Sequence, residues 1–248
     1  MTELIYEHPL NEKLRTYLRL EYLLSQLHSL NDLDSDWQQQ AFFNALFDLV
    51  EVLDRNDIRP DLIKDCERCE TALVIWANHP SVSGDKLKPV LQKAVRLQSE
   101  LLRSGKFVGN LKEDKFLAPL RQRFSIPGGT CYFDVPQLHY WFNLPLEQRQ
   151  QMAANWCHEF GLLLEAIRFV LGFSREKGHF TTVVADNGFY QSNTDQHELL
   201  RIRYQIDAGV YPTVSGNKYR YAIRFMQLCD EAGRSNSDQS ISFELACC

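Results

Sequence analysis

The pattern of hydrophobic residues changes at Gly178, and this change constrains the fold more than any other feature of the chain. Before it, apolar residues recur three or four positions apart, as in residues 11–30 and 146–172, which is the spacing of amphipathic helices. After it, short segments alternate apolar and polar residues between turn-forming Gly, Asn, Asp and Ser, as β-strands do. Helices and strands segregated along the chain predict an α+β protein rather than alternating βαβ units.

The same patterns predict where the elements lie. Helices are expected at residues 11–30, after a capping-box pattern of Ser35 and Gln38, from Pro60, at about 86–103 and 111–123, and at 146–172. The segment RFSIPGGTCYFDV resembles one strand, or two strands joined at Gly128–Gly129. We therefore expect a mostly helical domain of residues 9–123 and 143–176. An antiparallel β-rich domain would contain residues 1–8, 124–142 and 177–248.

Composition indicates an ordinary globular protein that does not coat nucleic acid. The 248 residues are 44% hydrophobic and 24% charged, and the formal net charge is −5, whereas non-specific phosphate binding needs a broad basic surface. The start, MTELIYEHPLNEK, lacks the pattern of a secretory signal, and no segment has the roughly 18–20 continuous apolar residues of a membrane span. We expect a cytoplasmic protein with reduced thiols and no membrane insertion.

The motifs of enzymes and of metal sites are missing from the sequence. Cys66 and Cys69 have C-x-x-C spacing, but both fall on the apolar stripe of a predicted helix, which favours two buried thiols over a zinc or redox site. The histidines form no metal-binding group, and there is no phosphate loop, nucleophile elbow or dinucleotide fingerprint. We predict a protein without metal or cofactor that is not an enzyme.

Two predicted strands carry a row of cations in this acidic chain. Arg201 and Arg203 share one face of LLRIRYQID, and Lys218, Arg220 and Arg224 share one face of KYRYAIRF, because side chains alternate along a strand. Residues 199–226 contain no other charge except that of Asp207. If the two strands pair as neighbours, their apolar faces would cover the helices and their cations would point outward together.

Three interpretations of this basic face are open. A solvated sheet face commonly carries charges, although it would normally mix the two signs. A face of one sign favours an acidic protein partner. RNA is the alternative partner, but the alternation places Tyr219, Tyr221 and Phe225 on the buried face, where bases cannot stack on them. The pattern therefore favours an acidic peptide.

Five stretches of the chain are long and distinctive: YEHPLNEKLRTYLRLEYLL (6–24), RQRFSIPGGTCYFDVPQLHYW (121–141), NGFYQ (187–191), YPTVSGNKYRYAIRFM (211–226) and FELACC (243–248). Through them the chain resembles, essentially over its whole length, one family of bacterial cell-division proteins, the ZapD family. The resemblance implies a cytoplasmic, non-enzymatic homodimer with a helical and a β domain. Such proteins bind the C-terminal tail of the tubulin-like protein FtsZ, cross-link its filaments and stabilise the ring at the division site in mid-cell.

The resemblance also implies which residues recognise the tail. They are Arg19, Arg55, Lys115, His139, Arg220 and Arg224. At Lys115 the chain departs from the family pattern, which has arginine; lysine keeps the charge but cannot make a planar bidentate contact with a carboxylate. The sequence leaves open whether these residues form one site or two.

Overall fold

The computed structural model describes residues 2–77, 84–194, 197–217, 219–229 and 233–248. The chain divides into two compact units. The β unit contains Met1–Leu18 and Leu171–Cys248, and the helical unit contains Arg19–Val170. Helices in one unit and antiparallel strands in the other confirm the α+β fold class.

The helices follow the predicted order. Within the described residues they are α1 (Glu12–Ser29), α2 (Asp36–Arg55), α3 (Arg59–Ala77), α4 (Gly84–Arg103), α5 (Gly109–Glu113), α6 (Leu117–Phe124), α7 (Pro136–Phe142), α8 (Leu146–His158) and α9 (Gly161–Lys177). The first four match their predicted ranges closely. Helix α2 begins with the predicted capping box: the Gln38 amide donates to Ser35 Oγ at 3.3 Å, and the Ser35 amide donates to Gln38 Oε1 at 3.2 Å.

Two segments predicted as single helices are each broken in two. The predicted helix at 111–123 becomes α5 and α6, because the Asp114 carboxylate accepts the Phe116 and Leu117 amides at 2.8 and 2.9 Å and starts a new helix. The predicted helix at 146–172 becomes α8 and α9, with a turn just before Gly161. Glycine has a low preference for helix interiors, and the turn leaves Phe160 buried.

The strand predicted within residues 123–135 is wrong. Turns follow one another there: the amides of Gly129, Cys131 and Asp134 donate to carbonyls three residues earlier, and Gly128 has a φ of +73°. Such bonds fold the backbone back on itself, so it cannot extend into a ladder. Pro136 then begins α7. Residues 124–142, which we expected in the β domain, lie in the helical unit.

The strands form two antiparallel sheets. They are β1 (Glu3–Pro9), β2 (Thr181–Ala185), β3 (Phe189–Asn193), β4 (Leu199–Gln205), β5 (Tyr211–Gly216), β6 (Arg220–Cys229), β7 (Gly233–Asn236) and β8 (Ile241–Cys247). Sheet A has the order β1-β4-β8-β2. Sheet B has the order β3-β6-β5, and β7 also pairs with β6.

The two sheets pack on each other through their apolar faces. Ile202 and Phe243 of sheet A and Ile223 and Phe225 of sheet B belong to one buried cluster, in which the rings of Phe225 and Phe243 lie 5.0 Å apart. The strands β4 and β6 therefore do not pair as neighbours, and the condition for a shared cationic face is not met. β4 lies between β1 and β8, and β6 lies between β5 and β3, so the outer faces of β4 and β6 belong to different sheets.

Candidate functional site

The arginines of β4 are neutralised within the β unit. Arg201 Nε donates to Glu7 at 2.9 Å, and Glu7 also accepts hydrogen bonds from Nε and Nη2 of Arg175 on α9. Arg203 donates to Glu244 at 2.9 Å, lies 3.3 Å from the Glu3 carboxylate and stacks over a phenylalanine ring. The outer face of sheet A thus mixes both signs of charge. The inclusion of Arg201 and Arg203 in a single-sign cationic face is wrong.

The outer face of sheet B differs, because its two arginines have no carboxylate opposite them in the strand pairing of the described residues. The register places Asn193, Gln191 and Phe189 of β3 opposite Arg220, Ala222 and Arg224, while Ser215 and Thr213 of β5 flank Ala222 and Arg224 from the other side. We call these eight residues the sheet face. None of them is acidic, and within the described part of the chain neither arginine forms an ion pair. Among the described residues, the sheet face therefore presents two positive charges that no ion pair neutralises.

Small and polar side chains leave a hollow beside Arg220. This hollow of about 780 Å³ lies at Arg220 and Ala222 and is lined by Gln191, Asn193 and Ser215, among others. Arg224 lies over the Phe189 ring, 5.0 Å from its centroid, which holds the guanidinium in place without neutralising it. One guanidinium over an aromatic ring and a second beside amide and hydroxyl groups can bind an acidic, extended peptide.

Two details of the predicted strand face change in the structure. Tyr219 was expected to point inward, but 67% of its surface is exposed. It lies in a bend just before β6, where its backbone amide donates to Asn217 Oδ1. Tyr221 and Phe225 are buried as predicted. Lys218 lies outside the described residues.

The helical unit brings Arg19 and Arg55 together in one groove. A groove of about 390 Å³ runs between α1 and α2 and is lined by Arg19, Tyr22, Leu23, Asp48, Glu51, Val52 and Arg55; we call it the helical groove. Arg55 forms an ion pair with Glu51, one turn earlier on α2. Arg19 forms no ion pair with any residue in the described ranges. The groove offers guanidinium groups beside an exposed aromatic ring and two aliphatic side chains.

Lys115 and His139 are also exposed residues of the helical unit. The His139 ring lies 4.3 Å from the Tyr132 ring, and exposed Phe133 and Tyr140 are their chain neighbours. Lys115 lies between α5 and α6 and has no ion pair among the described residues. Neither residue lines the helical groove.

The basic residues implied by the resemblance therefore fall into two groups. Arg19, Arg55, Lys115 and His139 belong to the helical unit, whereas Arg220 and Arg224 belong to the β unit. Sequence reasoning did not single out Tyr22, although 69% of its surface is exposed. Its position three residues after Arg19, on the same helix face, is the signal that could have identified it.

The described residues contain no helix that is long and apolar enough to cross a membrane, and no group of three or more side chains suited to holding a metal ion.

Comparison with known proteins agrees with the resemblance. The family model described as "ZapD: Cell division protein" matches residues 18–224. The chain belongs to the ZapD family. "Cell division protein ZapD" of Vibrio vulnificus (strain CMCP6) is 42% identical over 248 residues, covering 100% of both chains. The protein of the same name from Yersinia enterocolitica is 41% identical over 246 residues, covering 99% of this chain and 97% of its own.

Membership of the ZapD family gives this chain a role in cell division. The identity extends over both units, because the alignments cover the chain from end to end. The aligned residues therefore include both the helical groove and the sheet face.

Proposed function

We propose that this protein binds the acidic C-terminal tail of FtsZ and cross-links FtsZ filaments at the division site. The observation that carries the proposal is the pair of arginines on the sheet face, Arg220 and Arg224, which form no ion pair among the described residues and have neutral polar residues around them. A surface with this charge pattern binds carboxylates by charge-assisted hydrogen bonds. The helical groove adds Arg19 and Arg55 beside Tyr22, which suits a tail that combines acidic and apolar residues.

Cross-linking requires two tail sites in one particle. A homodimer with one tail site per subunit is bivalent, so two filaments are held together by contacts that are individually weak. The protein acts in this proposal as a cytoplasmic, non-enzymatic adaptor at mid-cell, without metal, cofactor, nucleic acid or membrane insertion. Chemical cross-linking of the purified protein, or its sedimentation equilibrium, tests the dimer separately from tail binding.

The experiment is a fluorescence-anisotropy titration of a labelled FtsZ tail peptide with the purified protein, followed by sedimentation of FtsZ filaments. Saturable binding that weakens as salt rises, together with bundled filaments in the pellet, is the expected result, since exposed charges are screened over about 8 Å at 0.15 M salt. Binding that does not respond to salt would favour an apolar groove. A peptide that does not bind would overturn the proposal.

RNA binding is the second candidate, and one observation favours it: Tyr219 is exposed beside Arg220. Single-stranded RNA is usually recognised by several bases stacked on aromatic side chains. Tyr221 and Phe225 are buried in the core between the sheets, so β6 offers no row of stacking rings. A gel shift with mixed single-stranded RNA at physiological salt distinguishes the two candidate functions. Tight binding of RNA would make it the preferred ligand over the FtsZ tail.

A further inference from the structure

The helical groove carries its own carboxylates, in contrast to the sheet face. Asp48 and Glu51 lie in the groove with Arg19 and Arg55, so two acidic and two basic side chains share one surface. Glu51 forms an ion pair with Arg55 on the same helix. A carboxylate arriving from a partner would meet a guanidinium that already has a partner.

The pair of Glu51 and Arg55 is easily broken. Both side chains are exposed, at 53% and 73% of their surfaces, and an exposed pair four residues apart on a helix contributes little to stability. Asp48 adds a second negative charge one turn before Glu51; burial raises the pKa of Asp48, and the charge of Glu51 raises it further. The groove thus opposes an acidic ligand by repulsion and by direct occupation of Arg55.

We infer that Glu51 competes with the carboxylates of the bound tail for Arg55, and so sets the affinity of the helical groove. The inference rests on the proposed function. In the free protein Glu51 holds Arg55; in the complex a tail carboxylate takes its place, and the apolar part of the tail contacts Tyr22, Leu23 and Val52. The competition keeps each tail contact weak, which suits a bivalent cross-linker that must release filaments as the ring remodels.

The Glu51→Gln variant tests the competition. The amide keeps the size of the side chain but removes its charge, so the affinity for an FtsZ tail peptide should rise roughly two- to fivefold at low salt. Glu100→Gln is the matched control: Glu100 forms an ion pair with Arg96 four residues earlier on α4, away from the groove, and its loss changes the net charge equally. We expect that control to bind as the unaltered protein does.

A second comparison shows whether the effect acts through Arg55. In an Arg55→Ala background the gain from Glu51→Gln should disappear, because no guanidinium remains to be released. Thermal unfolding is measured in parallel: a merely structural ion pair would change the melting temperature of Glu51→Gln without raising its affinity.

The outcomes separate this inference from the proposed function. If the unaltered protein binds the peptide and Glu51→Gln binds no more tightly, the inference is overturned and the proposed function stands. A gain that persists at full size with Arg55→Ala would also overturn it. If neither the unaltered protein nor Glu51→Gln binds the peptide, the inference and the proposed function are both overturned.

Discussion

Arg201 donates a hydrogen bond of 2.9 Å to Glu7, the residue directly opposite it in the pairing of β4 with β1. Arg220, at the start of β6, faces Asn193 at the equivalent place in sheet B. Both arginines face outward because side chains alternate along a strand, but the residues opposite them in the neighbouring strand differ. The neighbouring strand therefore decides which arginine stabilises the fold and which is available to a partner.

The first prediction concerns Arg201. Replacing it with alanine should lower the free energy of unfolding by about 1–2 kcal/mol, because half-buried Glu7 loses one charge-assisted hydrogen bond while Arg175 still pairs with it. Urea denaturation measures the change. Arg220→Ala is the control and should stay within about 0.5 kcal/mol of the unaltered protein, since its side chain is exposed. Equal destabilisation by the two variants would contradict this division of roles.

Local periodicity predicted which side of each strand is apolar, but it could not predict the pairing of strands. Ile202 and Ile223 are both buried, as alternation requires. Whether β4 lies beside β6 or beside β1 depends on contacts between residues far apart in the sequence, and no local pattern contains that information. The ion pair between Arg201 and Glu7 could not be predicted for the same reason, because the two residues are far apart in the sequence.

The site was predictable only in part, for a related reason. Arg220 and Arg224 follow from the alternation within one strand and are exposed as expected. The meeting of Arg19 with Arg55 requires α1 to pack beside α2, and only the family resemblance pointed to both residues. Tyr219 escaped prediction because the Asn217 side chain bends the backbone just before the strand begins.

The second prediction concerns the start of α2. Ser35→Ala removes the side chain that accepts the Gln38 amide, and should cost about 1 kcal/mol of unfolding free energy, as the loss of a helix N-cap does. Ser35→Asp keeps an acceptor and adds a favourable charge at the helix N-terminus, so it should retain the stability. Chemical denaturation monitored by circular dichroism compares them. If both variants lose the same amount, the cap is not what stabilises α2.

The third prediction concerns the cysteines of the C-x-x-C motif. Their burial agrees with the expectation of two buried thiols rather than a zinc or redox site. Cys66 and Cys69 are both buried, and no disulfide joins them. Burial, with smaller contributions from Cys69 and Asp65, raises the pKa of Cys66 from 9.0 to about 12. The folded protein therefore keeps the Cys66 proton at a pH where the unfolded chain loses it, and this group's contribution to stability falls as the pH rises from about 9 towards 12.

Alkylation tests that protection. With iodoacetamide at pH 8.5, exposed Cys131 should be modified first, and Cys66 should react only after urea unfolds the chain. Mass spectrometry of tryptic peptides reports each site, and cleavage after Arg68 separates Cys66 from Cys69. Labelling of Cys66 in the native protein at the rate of Cys131 would show that the thiol is accessible and would revive a redox interpretation.

The last prediction concerns the sheet face itself. Reversing both charges, with Arg220→Glu and Arg224→Glu, should abolish tail binding and filament bundling in the sedimentation assay, because carboxylates would then repel an acidic tail. The fold should survive, since both side chains are exposed and neither forms an ion pair within the described part of the chain. Circular dichroism and the melting temperature verify this.

The control for this variant needs the same change in net charge at another place. Arg103→Glu with Arg168→Glu provides it, because both arginines are exposed, both lie in the helical unit and neither lines the helical groove. That protein should bundle filaments nearly as well as the unaltered one. Undiminished bundling by a folded Arg220→Glu, Arg224→Glu protein would remove β6 from tail recognition and leave the helical groove as the remaining candidate. Equal loss in both double variants would instead point to overall charge, because the two proteins differ only in where the charge is reversed.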